Sequence, residues 1–274
     1  MKVELKTWAG LGLATALAGA GLAGCSTEPA AEDEATQASQ AGEMGEGEGG
    51  EGGEGGESGE GGVSAADAAT DAVVYGSALA VAEAHAIAAR DAYLIGKTDA
   101  AAEMFAHPVS EVLLEMDPVF AELGVEDFKD LFGDASAAIL NGADEAAVTA
   151  NYDAIIAALR SAAEKAPASE MSDALVSAGV AADQVERAVT MYGEATGSDR
   201  YEPYLDGYGF YKAAETAFSG SSSAIESENA ELHTALTEAL ALLAAAYPSA
   251  DRPEELTANQ GQLIAAGSKI ALAQ

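Results

Sequence analysis

Three histidines and the carboxylates near two of them are the residues of this chain best equipped to coordinate an ion. His85 falls in the row Val74, Ala78, Val81, His85, Ala88, Ala92 and Ile95. That row has the spacing of the buried stripe of a helix, so the imidazole is expected to face a core. Next comes Glu103-x-x-x-His107-Pro108-x-x-Glu111, with carboxylates four residues to either side of a histidine. If the Gly96-Lys97-Thr98-Asp99 turn folds this segment back along the first, Glu111 comes level with residues 84 and 85, and His107 with Ala88. Two imidazoles and a carboxylate then meet between helices, where bundles commonly build metal sites. Such nitrogen and oxygen donors suit zinc, iron or copper. The candidate ligands are His85, His107 and Glu111, with Glu103 beside them. A structural reading competes: a neutral core histidine bonded to one carboxylate, a histidine that merely precedes a proline, and two solvated glutamates. His233 follows Leu232 on a separate helical segment and is expected at a surface or boundary.

Tyr201, Tyr204, Tyr208 and Tyr211 recur at three- and four-residue spacing. On one helical face, Tyr204, Tyr208 and Tyr211 can stack a flat ligand such as a sugar. The same periodicity also describes a packed core with hydroxyls reaching its rim. Nucleophile motifs are missing: there is no G-x-S-x-G, no S-x-x-K and no cysteine–histidine pair for a covalent mechanism. H-E-x-x-H and the EF-hand loop are missing as well. No acid–base constellation stands out, so the expectation is a protein that is not an enzyme.

The elements that must hold these side chains read as helices. Alanine dominates the 49% apolar fraction while aromatics supply only 6%, and alanine favours helix over strand. Ser64 with Asp67 three residues on has the form of a capping box, predicting one long helix to about Ile95. Pro108 suits a first turn and predicts the start of a third helix. Further breaks are expected near Gly124, Asn141-Gly142, Ala166-Pro167, Gly179, Gly197, residues 219–223 and Pro248. Alternating strand patterns are absent. The expected fold is all-α, an up-and-down helical bundle of about seven to ten helices over residues 63–274, with a division into halves near Pro167 left open.

Forty-six acidic against 12 basic side chains give a formal charge of −34. Nucleic-acid binding is excluded as an expectation, because phosphate contacts need a Lys/Arg footprint. So acidic a surface suits solubility and salt adaptation as well as cation binding. One cysteine rules out an internal disulfide and any Cys-rich zinc site.

That cysteine ends an unusual N-terminal segment. Lys2 and Lys6 precede an uncharged, Leu/Ala-rich stretch, residues 8–24, which closes in Leu22-Ala23-Gly24-Cys25. The tetrapeptide resembles the lipobox of bacterial lipoproteins. The resemblance implies that residues 1–24 are a signal peptide and that Cys25 becomes a lipidated N-terminus, a membrane anchor. Ser26 stands where an inner-membrane retention signal would have aspartate, which implies the periplasmic face of the outer membrane. Residues 42–62 then hold 12 of the 30 glycines, threaded with seven glutamates. Unable to bury apolar surface, the region 25–62 is expected to be a disordered acidic Gly/Glu-rich linker spanning roughly 30–37 Å. Within it Gly45-Glu46-Gly47-Glu48-Gly49-Gly50 matches G-x-G-x-x-G, but no strand precedes it and no helix follows.

Two functions fit. One is a cell-envelope lipoprotein whose helical domain binds a divalent or transition metal ion in the periplasm; no other cofactor is implied. The other is a structural or protein-interaction lipoprotein that docks an envelope protein partner and holds no ligand.

Overall fold

The structure, a computed structural model, describes residues 62–274. The expectations for the signal peptide, Cys25 and most of the linker concern residues outside these. The described residues contain eleven α-helices and one π-helical turn, with no strand among them. In chain order these are α1 (Ala65–Ala68), α2 (Ala72–Leu94), α3 (Thr98–Pro108), the π-helical turn (Val109–Leu113), α4 (Asp117–Leu123), α5 (Lys129–Leu140) and α6 (Glu145–Ala163). After Pro167 follow α7 (Asp173–Gly197), α8 (Glu202–Ser219), α9 (Ser222–Glu228), α10 (Ala230–Ala246) and α11 (Gln260–Ala273). The fold is an all-α bundle; the count exceeds ten because of short pieces such as α1, α4 and α9.

Three local expectations are corrected. The helix opened by Ser64 stops at Ala68, since Asp71 caps a new one, accepting from Val73 N at 2.7 Å and Val74 N at 3.2 Å. Pro108 ends α3 instead of starting a helix. Without an N–H it cannot continue the α ladder, and the backbone widens into the π turn, in which Leu114 N donates to Val109 O at 3.1 Å. Gly179 does not interrupt α7; it lies where α7 crosses α2, and a Cβ there would meet Val73 Cγ1 at 2.8 Å.

Helix α2 organises the bundle. Sixteen of its 23 residues are buried, and so apolar a helix is stable in water only when surrounded. By length and hydropathy it is able to cross a membrane, yet here it is the core helix, packed by α3, α6, α7 and α8. Helices from both sides of Pro167 therefore share one core, and the described residues fall in one compact unit. Alanine at most α2 core positions lets the neighbours approach closely, and larger buried side chains fill the remaining space between helices. Tyr75 meets Phe120 edge-on at 6.1 Å and donates to Ala162 O at 2.8 Å. Each such large side chain contributes roughly 1.5–3 kcal/mol of apolar burial. Glu83, the buried acid of α2, is held by both terminal nitrogens of Arg160 from α6.

Two backbone features aim the site. At the end of α2, Gly96 takes a left-handed φ of 80° while Lys97 N donates to Ala92 O at 2.9 Å. This C-terminal cap reverses the chain and lays α3 beside α2. On the other side α8 presses against α2 at Gly209, where a Cβ would stand 2.5 Å from the Ala84 carbonyl oxygen. Only glycine allows that approach, one residue away from His85.

Candidate metal centre

His85 is 4% exposed, midway along α2. Its Nδ1 lies 2.8 Å from the Val81 carbonyl oxygen one turn earlier. A carbonyl only accepts, so Nδ1 carries a proton, and Nε2 faces the carboxylates as a lone pair when the ring is neutral and as a donor when it is charged. Nε2 lies 3.1 Å from Glu111 Oε2 and 3.6 Å from Asp206 Oδ1. His107, in the last turn of α3, places Nδ1 3.4 Å from Glu111 Oε1. The two imidazoles meet edge-on at 5.9 Å, and Phe210 closes the other side of His85 at 5.7 Å. His85, His107 and Asp206 each bring one donor atom within 4.8 Å of the others.

The elements explain the convergence. The Gly96 turn sets the register of α3 on α2. The π turn carries Glu111, three residues past Pro108, with one oxygen directed at each imidazole. Asp206 comes from the stretch of α8 that Gly209 lets down onto α2. These side chains line a cavity of about 260 Å³ with Met191 and Phe210, and exposed Glu194 and Arg200 and half-buried Glu202 border it.

Electrostatics mark the cluster as short of positive charge. Burial raises the Asp206 carboxyl to about 6, against the opposing pull of His85 and His107. Its Oδ1 is buried with no hydrogen-bond partner among the described residues. Burial lowers the His85 pKa, but the hydrogen bond to Glu111 and the charges of Asp206 and Glu111 outweigh it, and the net direction is up. Glu111 is pushed up by burial and pulled down further by His85 and His107. Nε2, Oε2 and Oδ1 all face one space, an arrangement that is favourable only when a cation, a proton on Nε2 or a metal, sits between them.

The sequence-derived candidates fare differently. His85, His107 and Glu111 are brought together. Glu103 is exposed and does not line the cavity. Its side of α3 faces solvent, a geometry that four-residue spacing from His107 does not decide. Tyr204, Tyr208 and Tyr211 are buried core rather than a stacking face. The Tyr204 hydroxyl donates to Ser249 O at 2.8 Å and that of Tyr208 to Asp91 Oδ2 at 2.7 Å, while Tyr211 stacks on Tyr247. His233 contacts Ser222 Oγ at 2.9 Å and the Phe218 ring. Asp206 is the residue sequence reasoning missed. Its signal is slight: one acid among 46, enclosed by Leu205 and Gly207 in the tyrosine-rich helix. No protein-family model, curated protein or solved structure matches the chain, so the functional reading rests on this geometry.

Proposed function

We propose that the protein is a cell-envelope lipoprotein whose helical domain binds one divalent transition-metal ion through His85, His107 and Asp206, with Glu111 alongside. The observation that carries this reading is the meeting of His85 Nε2 with the buried Asp206 Oδ1, which has no hydrogen-bond partner among the described residues. Burying a carboxylate oxygen without a hydrogen bond costs stability, and a metal ion offsets that cost. Two imidazoles with carboxylates favour zinc, iron or copper over calcium or magnesium, which prefer all-oxygen shells. The lipobox resemblance supports the rest: lipid on Cys25 anchors the protein, and the acidic linker holds the domain off the bilayer, at the periplasmic face of the outer membrane. The activity proposed is binding, not catalysis.

The test is thermal unfolding of the purified protein with and without zinc. At a hundredfold excess over Kd, binding contributes about 2.7 kcal/mol. For a domain of this size that is a rise of about 5–10 °C in Tm. His85→Ala and Asp206→Asn should each remove most of it, and calcium should give little. An equal zinc-induced rise in the His85→Ala, His107→Ala double variant contradicts the proposal.

A further inference from the structure

We infer that the bound metal keeps an exchangeable coordination position facing the cavity, and that Glu111 serves it as a hydrogen-bond acceptor and not as a ligand. The ligand class is a small oxygen donor that also brings an O–H or N–H to Glu111: water at rest, or a compact molecule such as a hydroxamic acid. This inference rests on the metal reading above.

The division of roles follows from the geometry. Metal–donor bonds to nitrogen and oxygen are about 2.0–2.2 Å, so donors sharing an ion lie at most about twice that apart. His85, His107 and Asp206 approach this condition, with their donor atoms within 4.8 Å of one another, and Glu111 is not in that set. Three protein ligands are the number found where a site keeps a place for water or substrate; closed structural sites use four. Glu111 instead spreads its two oxygens, one to His85 at 3.1 Å and one to His107 at 3.4 Å. Once both imidazoles turn their lone pairs to a metal, those oxygens lose their partners while remaining beside the ion. A coordinated O–H supplies the replacement donor. The space for it is the cavity of about 260 Å³, whose remaining wall of Met191, Glu194, Arg200 and Glu202 contributes nothing to the donor set. Phe210 against His85 keeps the inner side apolar, which directs the open position outward.

Cobalt(II) titrated into the purified protein and followed by its d–d absorption tests this, with acetohydroxamic acid as the probe. Acetohydroxamic acid should shift the bands of the cobalt-loaded wild type. Glu111→Gln should still take one cobalt with wild-type bands but bind the probe at least tenfold more weakly. Asp206→Asn should lose cobalt affinity by about a hundredfold. Bands that the probe leaves unmoved, or a Glu111→Gln protein whose cobalt spectrum changes as that of Asp206→Asn does, overturn the inference while leaving a metal site in place. A wild type that takes no cobalt, zinc or copper overturns the metal reading itself, and this inference with it.

Discussion

Asp206 is where function and stability pull in opposite directions. Its carboxyl stands at about 6, raised by burial from an ordinary value near 3.8. Its charge therefore destabilises the metal-free fold at neutral pH, by up to about 3 kcal/mol for a shift of that size. The cost is present above pH 6 and disappears as the pH falls toward 4. His85 has a raised pKa, so its stabilising charge is complete below the unfolded value of about 6.5 and is lost as pH rises through the folded one. Glu111, lowered, stabilises at neutral pH and fails only on strong acidification. Metal-free protein should melt at a higher temperature at pH 6 than at pH 8, whereas the zinc-induced rise should shrink over the same interval as protons compete for the site. Asp206→Asn should raise the metal-free Tm at pH 7.5 by a few degrees and abolish the zinc response. A variant that loses Tm without metal and still responds fully to zinc would show Asp206 to be a structural acid.

The α2–α3 hairpin and the α2–α8 contact hold the site, and they differ in how openly the sequence announces them. The hairpin was legible. A glycine turn after an apolar stripe fixes which residues come level, and counting outward from it brings His85, His107 and Glu111 together. Pro108 is ambiguous in the sequence because proline is compatible with both a first turn and a helix end, and what decides is whether the backbone can widen behind it. The α8 contribution was not legible, since nothing local says that a helix more than ninety residues further on packs against α2. The glycine behind that packing is visible only as a helix-weakening residue until the neighbour is known. Gly209→Ala puts a methyl against the Ala84 carbonyl. Overpacking of this kind costs about 1–3 kcal/mol. It should also withdraw Asp206 from His85, so the prediction is a lower Tm together with a weakened zinc response. Arg160→Ala is the control. It breaks the pair with Glu83 on α2, lowering stability, and should leave zinc affinity unchanged. Equal loss of zinc affinity in both variants would mean that metal binding reports general stability and not the α8 approach.

For the whole molecule, composition was the readable level. Alanine abundance with few aromatics pointed to a helical bundle, and the described residues are one. The single cysteine in its lipobox-like setting makes the anchor a separate claim from the site. Cys25→Ser should leave the protein uncleaved and unlipidated, and the precursor should run larger than the mature wild type on a gel. A normally cleaved, membrane-bound Cys25→Ser protein contradicts it. The formal charge of −34 attracts any cation diffusely, and that attraction fades with salt while inner-sphere coordination does not. The most direct measurement is therefore a calorimetric zinc titration of purified protein in about 0.5 M sodium chloride, well beyond the range of surface electrostatics. Wild type should bind one zinc per chain, and the His85→Ala, Asp206→Asn double variant none. No saturable binding by wild type, or the same isotherm from both proteins, would contradict the metal reading.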